Sequence, residues 1–97
     1  MTKEKASLAF KALGDPNRLK IIKLLINNDE ICACDLLRVV DCKQATLSHH
    51  LHSLKQAGLL ISYKNGKNVI YKANMELLKE ISLFMLDECQ ECRKIDK

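Results

Sequence analysis

Two cysteines one residue apart, Cys32-Ala33-Cys34, stand just ahead of a segment, Lys43 to Ala57, whose pattern suits a DNA-reading helix. A thiolate is a soft donor that prefers thiophilic ions, whereas carboxylates prefer hard ones. Beside a recognition helix, such a pair suggests a switch in which ligation of sulfur changes the hold on DNA. Residues two apart on a regular helix point ~200° from each other, so shared ligation needs an extended or distorted start to the third helix. If that start is helical without the ion, ligation and helical winding exclude one another, and the strain passes to the recognition helix. A helix N-terminus also favours the thiolate.

Two sulfurs are an incomplete ligand set, since Zn(II) or Cd(II) takes about four ligands in a tetrahedron. Cys89 and Cys92, spaced to share one helical face, and Cys42, at the turn before the recognition helix, are candidates for the remainder. Cys89 and Cys92 also read as small hydrophobes continuing the apolar stripe of their helix, and Cys42 as a turn or cap residue. The same thiols could form a disulfide or persulfide instead. His49 and His52 have ligand spacing, but with His50 they read better as hydrogen-bonding groups for DNA or solvent.

Successive helical residues turn by about 100°, which puts Leu47, Leu51 and Leu54 on one stripe and Ala45, His49, His52, Ser53 and Gln56 opposite. The far face carries no large apolar group and is free to meet a wet surface. Lys43, Gln44, Thr46, Ser48 and His49 are the candidates for base edges and nearby phosphates; Gln pairs with adenine and Lys with guanine. Lys64, Lys67 and Lys72 would meet phosphate and give register rather than sequence reading.

These groups need elements to hold them. A first helix covers Thr2 to Leu13 and closes at Gly14; Asp15-Pro16 opens a second, with Leu19, Ile22 and Ile26 on one face, broadened by Ile21, Leu24 and Leu25. A short third helix runs from about Cys34 to Val40, and the fourth from Lys43 to Gln56, stopped by Ala57-Gly58. Leu59 to Lys64 and Asn68 to Ala73 form a two-stranded ribbon about Asn65-Gly66. The last helix, Met75 to Cys92, is apolar on several sides, which predicts a dimer interface shared with the first helix. The expected fold is mainly α with a β-hairpin wing: a winged helix-turn-helix, homodimeric, forming a single domain over residues 1–97.

The chain has 97 residues and a net charge of +4, so any DNA footprint must be local. Five cysteines, an odd number, argue against a disulfide framework. No apolar run of ~20 residues and no secretory leader are seen, which predicts a cytoplasmic protein with no membrane partner. There is no Gly-rich phosphate loop and no convincing nucleophile–base–acid set, so an enzyme is not expected.

Several stretches resemble the ArsR/SmtB metal-sensing repressors: Ala12-Leu13-Gly14-Asp15-Pro16-Asn17-Arg18-Leu19, the box Glu30-Ile31-Cys32-Ala33-Cys34-Asp35-Leu36, Gln44-Ala45-Thr46-Leu47-Ser48-His49-His50-Leu51, and Gly66-Lys67 with Tyr71. The resemblance implies a homodimeric repressor that holds double-stranded operator DNA and releases it when Cys32 and Cys34 bind an ion. It implies no constitutive cofactor, and As(III) or Sb(III), held by three sulfurs, as the first candidate inducer. Cd(II), Pb(II), Zn(II) or a thiol-redox or persulfide signal are the alternatives. Leu37 stands where the arsenic sensors of that family often have a third cysteine.

Overall fold

Asp15 and Pro16 set the sharpest boundary in the chain. The Asp15 carboxylate accepts the N–H groups of Asn17 at 2.8 Å and Arg18 at 3.2 Å, and Pro16 has no N–H to satisfy in the first turn. Helix α2 (Pro16–Asn27) therefore begins directly after α1 (Lys3–Leu13) has ended at Gly14. In the computed structural model, which describes residues 1–87, the order continues with β1 (Ile31–Cys32), α3 (Ala33–Val39), α4 (Gln44–Gln56), β2 (Leu60–Asn65), β3 (Asn68–Ala73) and α5 (Met75–Leu86).

The core lies where α4 meets α2 and the sheet. Leu47, Leu51 and Leu54 of α4 pack with Ile21, Ile22 and Leu25 of α2, Leu36 of α3, Val40, Leu59, Leu60 and Ile81. Helix α1 adds Ala9 and Ala12, whose short side chains permit close approach. On α2 the buried stripe differs from the expected one: Leu19 and Ile26 are exposed, while Ile21 and Leu25 face inward. Arg18 is drawn in towards α4 and heads an inward row of 18, 21, 22 and 25, the i, i+3, i+4, i+7 spacing of one helical face.

The ribbon gains a strand that sequence reading missed. β1 pairs antiparallel with β3, Ile31 opposite Tyr71 and Cys32 opposite Ile70, giving the order β1-β3-β2. Two residues are too few to display a strand period. β2 and β3 pair from Leu60–Ala73 to Asn65–Asn68, leaving Gly66-Lys67 as the loop, with Gly66 at φ +66°. A positive φ at the first loop residue alone is the II′ pattern that suits strand twist.

Gly58, at φ +79°, lets the chain leave α4, and its carbonyl accepts from Asn74 Nδ2 at 2.8 Å. The same Asn74 caps α5 by accepting from Leu77 N at 3.2 Å. Helix α5 runs to Leu86, with Asp87 extended, and the expected continuation to Cys92 lies outside the described residues. It buries Ile81 alone, and Leu83 and Leu86 are 69% and 84% exposed, as is much of Leu8 on α1.

Leu54 is fully buried at the centre of this packing. Leu54→Ala is expected to cost about 2–5 kcal/mol of stability by urea unfolding at fixed protein concentration.

Candidate metal centre and nucleic-acid interface

Cys32 belongs to two elements. It ends β1, and from an extended backbone (φ −77°, ψ 156°) it caps α3, its Sγ accepting the Asp35 N–H at 3.4 Å. Cys34 lies in the first turn of α3, and the two Sγ atoms are 2.6 Å apart. The expectation that helical winding and shared ligation exclude each other is therefore corrected. Cys32 lies outside the helix, so α3 is wound from Ala33 while the thiols already converge.

A carboxylate completes the cluster. Oxygen of Asp35 and the two sulfurs all lie within 4.8 Å of one another, and Asp35 also pairs with Arg38 at 3.5 Å on the surface. Among the described residues this is the group whose ligand atoms converge; Cys42 is half-buried against the core and is not part of it. Cys89 and Cys92 lie outside the described residues. The Cys34 thiol beside it raises the Cys32 thiol above its ordinary value; the Asp35 N–H opposes this, and desolvation and the Asp35 carboxylate add to it. The helix start thus does not win at Cys32, and an incoming ion must displace that proton.

Helix α4 is aimed by Arg18. Its Nε donates to His50 Nδ1 at 3.0 Å, one terminal nitrogen to the Ala12 carbonyl at 3.3 Å and the other to Ser53 Oγ at 3.3 Å. One planar group so joins the end of α1 and two sites on α4. His50 is consequently not a surface hydrogen-bonder as expected: it is 7% exposed, with Nε2 4.0 Å from Asp15. Burial pushes the Asp15 carboxyl up, but the N–H groups of Arg18 and Asn17 and the electrostatic pull of His50 and Arg18 prevail and hold it below its ordinary value.

The remaining face of α4 is open. Gln44, Ala45, Thr46, Ser48, His49, His52 and Gln56 are exposed, while Ser53 turns towards Arg18. Lys43 occupies the N-cap position without a side-chain cap bond, which leaves N–H groups of the first turn suited to an anion. Lys64 and Lys67 are exposed on the wing and Lys72 is half-buried. Lys55 of α4 donates to Ser62 Oγ of β2 at 2.7 Å, tying the helix to the wing. Sequence reading missed Asp35, although it lies three residues after a capping Cys32, and missed Arg18, whose partners are 32 and 35 residues away.

Residues 15–62 match the family model described as bacterial regulatory protein, arsR family. A cadmium resistance transcriptional regulatory protein of Listeria innocua is 46% identical over 79 residues, covering 81% of this chain; the chain spans 62% of that protein's length. An arsenical resistance operon repressor of Staphylococcus xylosus is 43% identical over 82 residues, 84% of this chain and 78% of the repressor. The fold matches a homodimeric winged helix-turn-helix DNA-binding domain of Mycobacterium bovis, with a TM-score of 0.72 over 86% of this chain and 77% of that one, at 23% identity.

Because Asp15 is held below its ordinary value, its contribution to stability is complete above the free carboxylate range and is lost as pH falls below that range through the folded-state value. Asp15→Asn, which retains a capping oxygen, is expected to flatten that acid limb of the stability–pH curve in urea titrations. An unchanged limb assigns the acid sensitivity to other carboxylates.

Proposed function

This chain belongs to the arsR family of bacterial regulatory proteins, and from that premise we propose that it is a homodimeric repressor whose grip on operator DNA is released by a thiophilic ion at Cys32 and Cys34. It is a transcriptional regulator, not an enzyme. The observation that carries the reading is the convergence of Cys32 Sγ, Cys34 Sγ and the Asp35 carboxylate one short helix ahead of α4.

The donor set favours one class of ion. Two sulfurs and an oxygen suit a borderline divalent ion such as Cd(II), Pb(II) or Zn(II), whose remaining positions take other ligands. As(III) or Sb(III), which the resemblance assigns three sulfurs, would need a further thiol from Cys42, Cys89 or Cys92. Relatives named for cadmium resistance and for arsenical resistance stand at 46% and 43% identity, so both ions belong in the test. With metal–sulfur bonds of about 2.3 Å, the 2.6 Å gap between the sulfurs must widen to admit an ion at an ordinary angle.

The DNA side rests on the exposed face and uncapped start of α4 with the wing lysines. Lys43, Gln44, Thr46, Ser48 and His49 are assigned to base edges and adjacent phosphates, and Lys64 and Lys67 to phosphate. The exposed Leu8 of α1 and Leu83 and Leu86 of α5 supply the apolar surface that a second copy would cover. Residues 1–97 then form one DNA-binding domain with its terminal helices at the interface. No helix of the described residues is long and apolar enough to cross a membrane, and DNA as the partner supports a cytoplasmic location.

Titration of Cd(II), arsenite and a mild oxidant into reduced protein on its own upstream DNA tests the reading. Release by Cd(II) in excess reductant is expected, and Cys32→Ser or Cys34→Ser should keep DNA binding and abolish release. Release only by oxidant would replace ion sensing with thiol chemistry. X-ray absorption on the reduced complex should count two sulfurs per Cd(II); three would bring in a further cysteine. Gln44→Ala or Ser48→Ala should weaken operator binding by about 1–3 kcal/mol in salt-controlled titrations.

A further inference from the structure

The strand that sequence reading missed places the thiols on a continuous ladder to α4. Cys32 faces Ile70 and Ile31 faces Tyr71 across β1–β3; Ile70 faces Tyr63 and Tyr71 faces Ser62 across β3–β2. Two rows therefore cross all three strands, Cys32–Ile70–Tyr63 and Ile31–Tyr71–Ser62. Both end on neighbouring residues of β2, which point to opposite faces of the sheet.

Each end has a polar neighbour outside the ladder. Ser62 Oγ accepts from Lys55 Nζ at 2.7 Å, a charge-assisted bond to the last turn of α4. The Tyr63 side chain stands near Glu30, two residues ahead of Cys32, and the Glu30 carboxylate raises the Tyr63 hydroxyl above its ordinary value. One face of β2 is thus tied to the reading helix, and the other neighbours the approach to the thiol pair.

We propose that occupancy of the Cys32–Cys34 pair is transmitted to α4 through this sheet, with Ser62 and Tyr63 as the positioning residues that couple the two sites. The inference rests on the ion-responsive reading above and concerns its route. Cys34 is carried by α3 and Cys32 by β1, so widening the gap between their sulfurs works one element against the other. Displacement of β1 reaches β2 through the backbone ladder and through Glu30–Tyr63. From Ser62 it reaches Lys55 and changes the angle between the wing and α4, the two parts assigned to DNA. A competing route is covalent, from α3 through residues 40–43 into α4, and it makes no use of either side chain.

The experiment compares the full-length wild type with Ser62→Ala, Ser62→Thr and Tyr63→Phe, in excess reductant, on the chain's own upstream DNA. Operator affinity is measured with and without Cd(II), and again with arsenite. Circular dichroism verifies the fold, and Cd(II) affinity is measured separately on DNA-free protein. Ser62→Ala and Tyr63→Phe are expected to bind Cd(II) and ion-free operator as the wild type does. Their Cd(II)-induced loss of operator affinity should shrink by about three- to thirty-fold. Ser62→Thr, which restores a hydroxyl, should recover the response. Wild-type release ratios in both Ser62→Ala and Tyr63→Phe would overturn the route and favour the covalent path. Weaker ion-free binding at an unchanged ratio would also overturn it, leaving Ser62 and Tyr63 as mere supports of the wing. A wild type that responds to neither ion would remove the parent reading, and this route with it.

Discussion

The guanidinium of Arg18 is the constraint on which the DNA-reading geometry depends. It is planar, permanently charged and half-buried, and three of its N–H groups are fixed by groups on two other helices. Because Arg18 heads the inward row of α2, the apolar packing behind it and the polar contacts ahead of it share one helical register. Asp15 fixes where that register begins, by capping α2 and by placing negative charge near both Arg18 and His50. The angle at which α4 leaves the body is thus set by a charged network rather than by leucine packing alone. A slip of α2 by one residue would strand the guanidinium without partners.

Cys32 imposes the second constraint. A residue that is both the last of a strand and the cap of a helix cannot move without disturbing one of them. That is a different physical basis for switching from the unwinding of a helix. The thiols need no refolding to meet, because the extended backbone at Cys32 has already turned its sulfur back towards the first turn of α3. What an ion must supply is work against a proton on Cys32 and against the pairing of Asp35 with Arg38. The carboxylate is thereby drawn between a surface arginine and the sulfur cluster.

Most of the fold was legible where the deciding signals are local. Asp15-Pro16, Gly58 and Gly66 each carry their own backbone reason for a boundary, although the turn sits at Gly66-Lys67, one residue later than Asn65-Gly66. The exposed face of α4 was legible because leucines at 47, 51 and 54 leave one direction for the core. His50 was misjudged, although it lies beside that stripe; an imidazole there needs a buried partner, and the partner is 32 residues away. β1 was illegible because pairing, not composition, makes two residues a strand. The inward face of α2 was misassigned by counting apolar residues alone, which could not know that an arginine would lead the row. At the thiol site, Cys32 and Cys34 announced themselves by type, whereas Asp35 was overlooked because capping turns it back onto the sulfurs.

The strand order leaves β2 at an outer border of the sheet, with a row of backbone N–H and C=O groups that have no neighbour on that side among the described residues. Such a border invites strand-by-strand stacking of separate molecules, a route to aggregation that proteins commonly block with lysine. Lys64 on that strand, and Lys67 at the tip beyond it, put charge where a second wing would have to dock. Cations that suit phosphate when DNA is present therefore also keep the free protein dispersed by mutual repulsion when it is not.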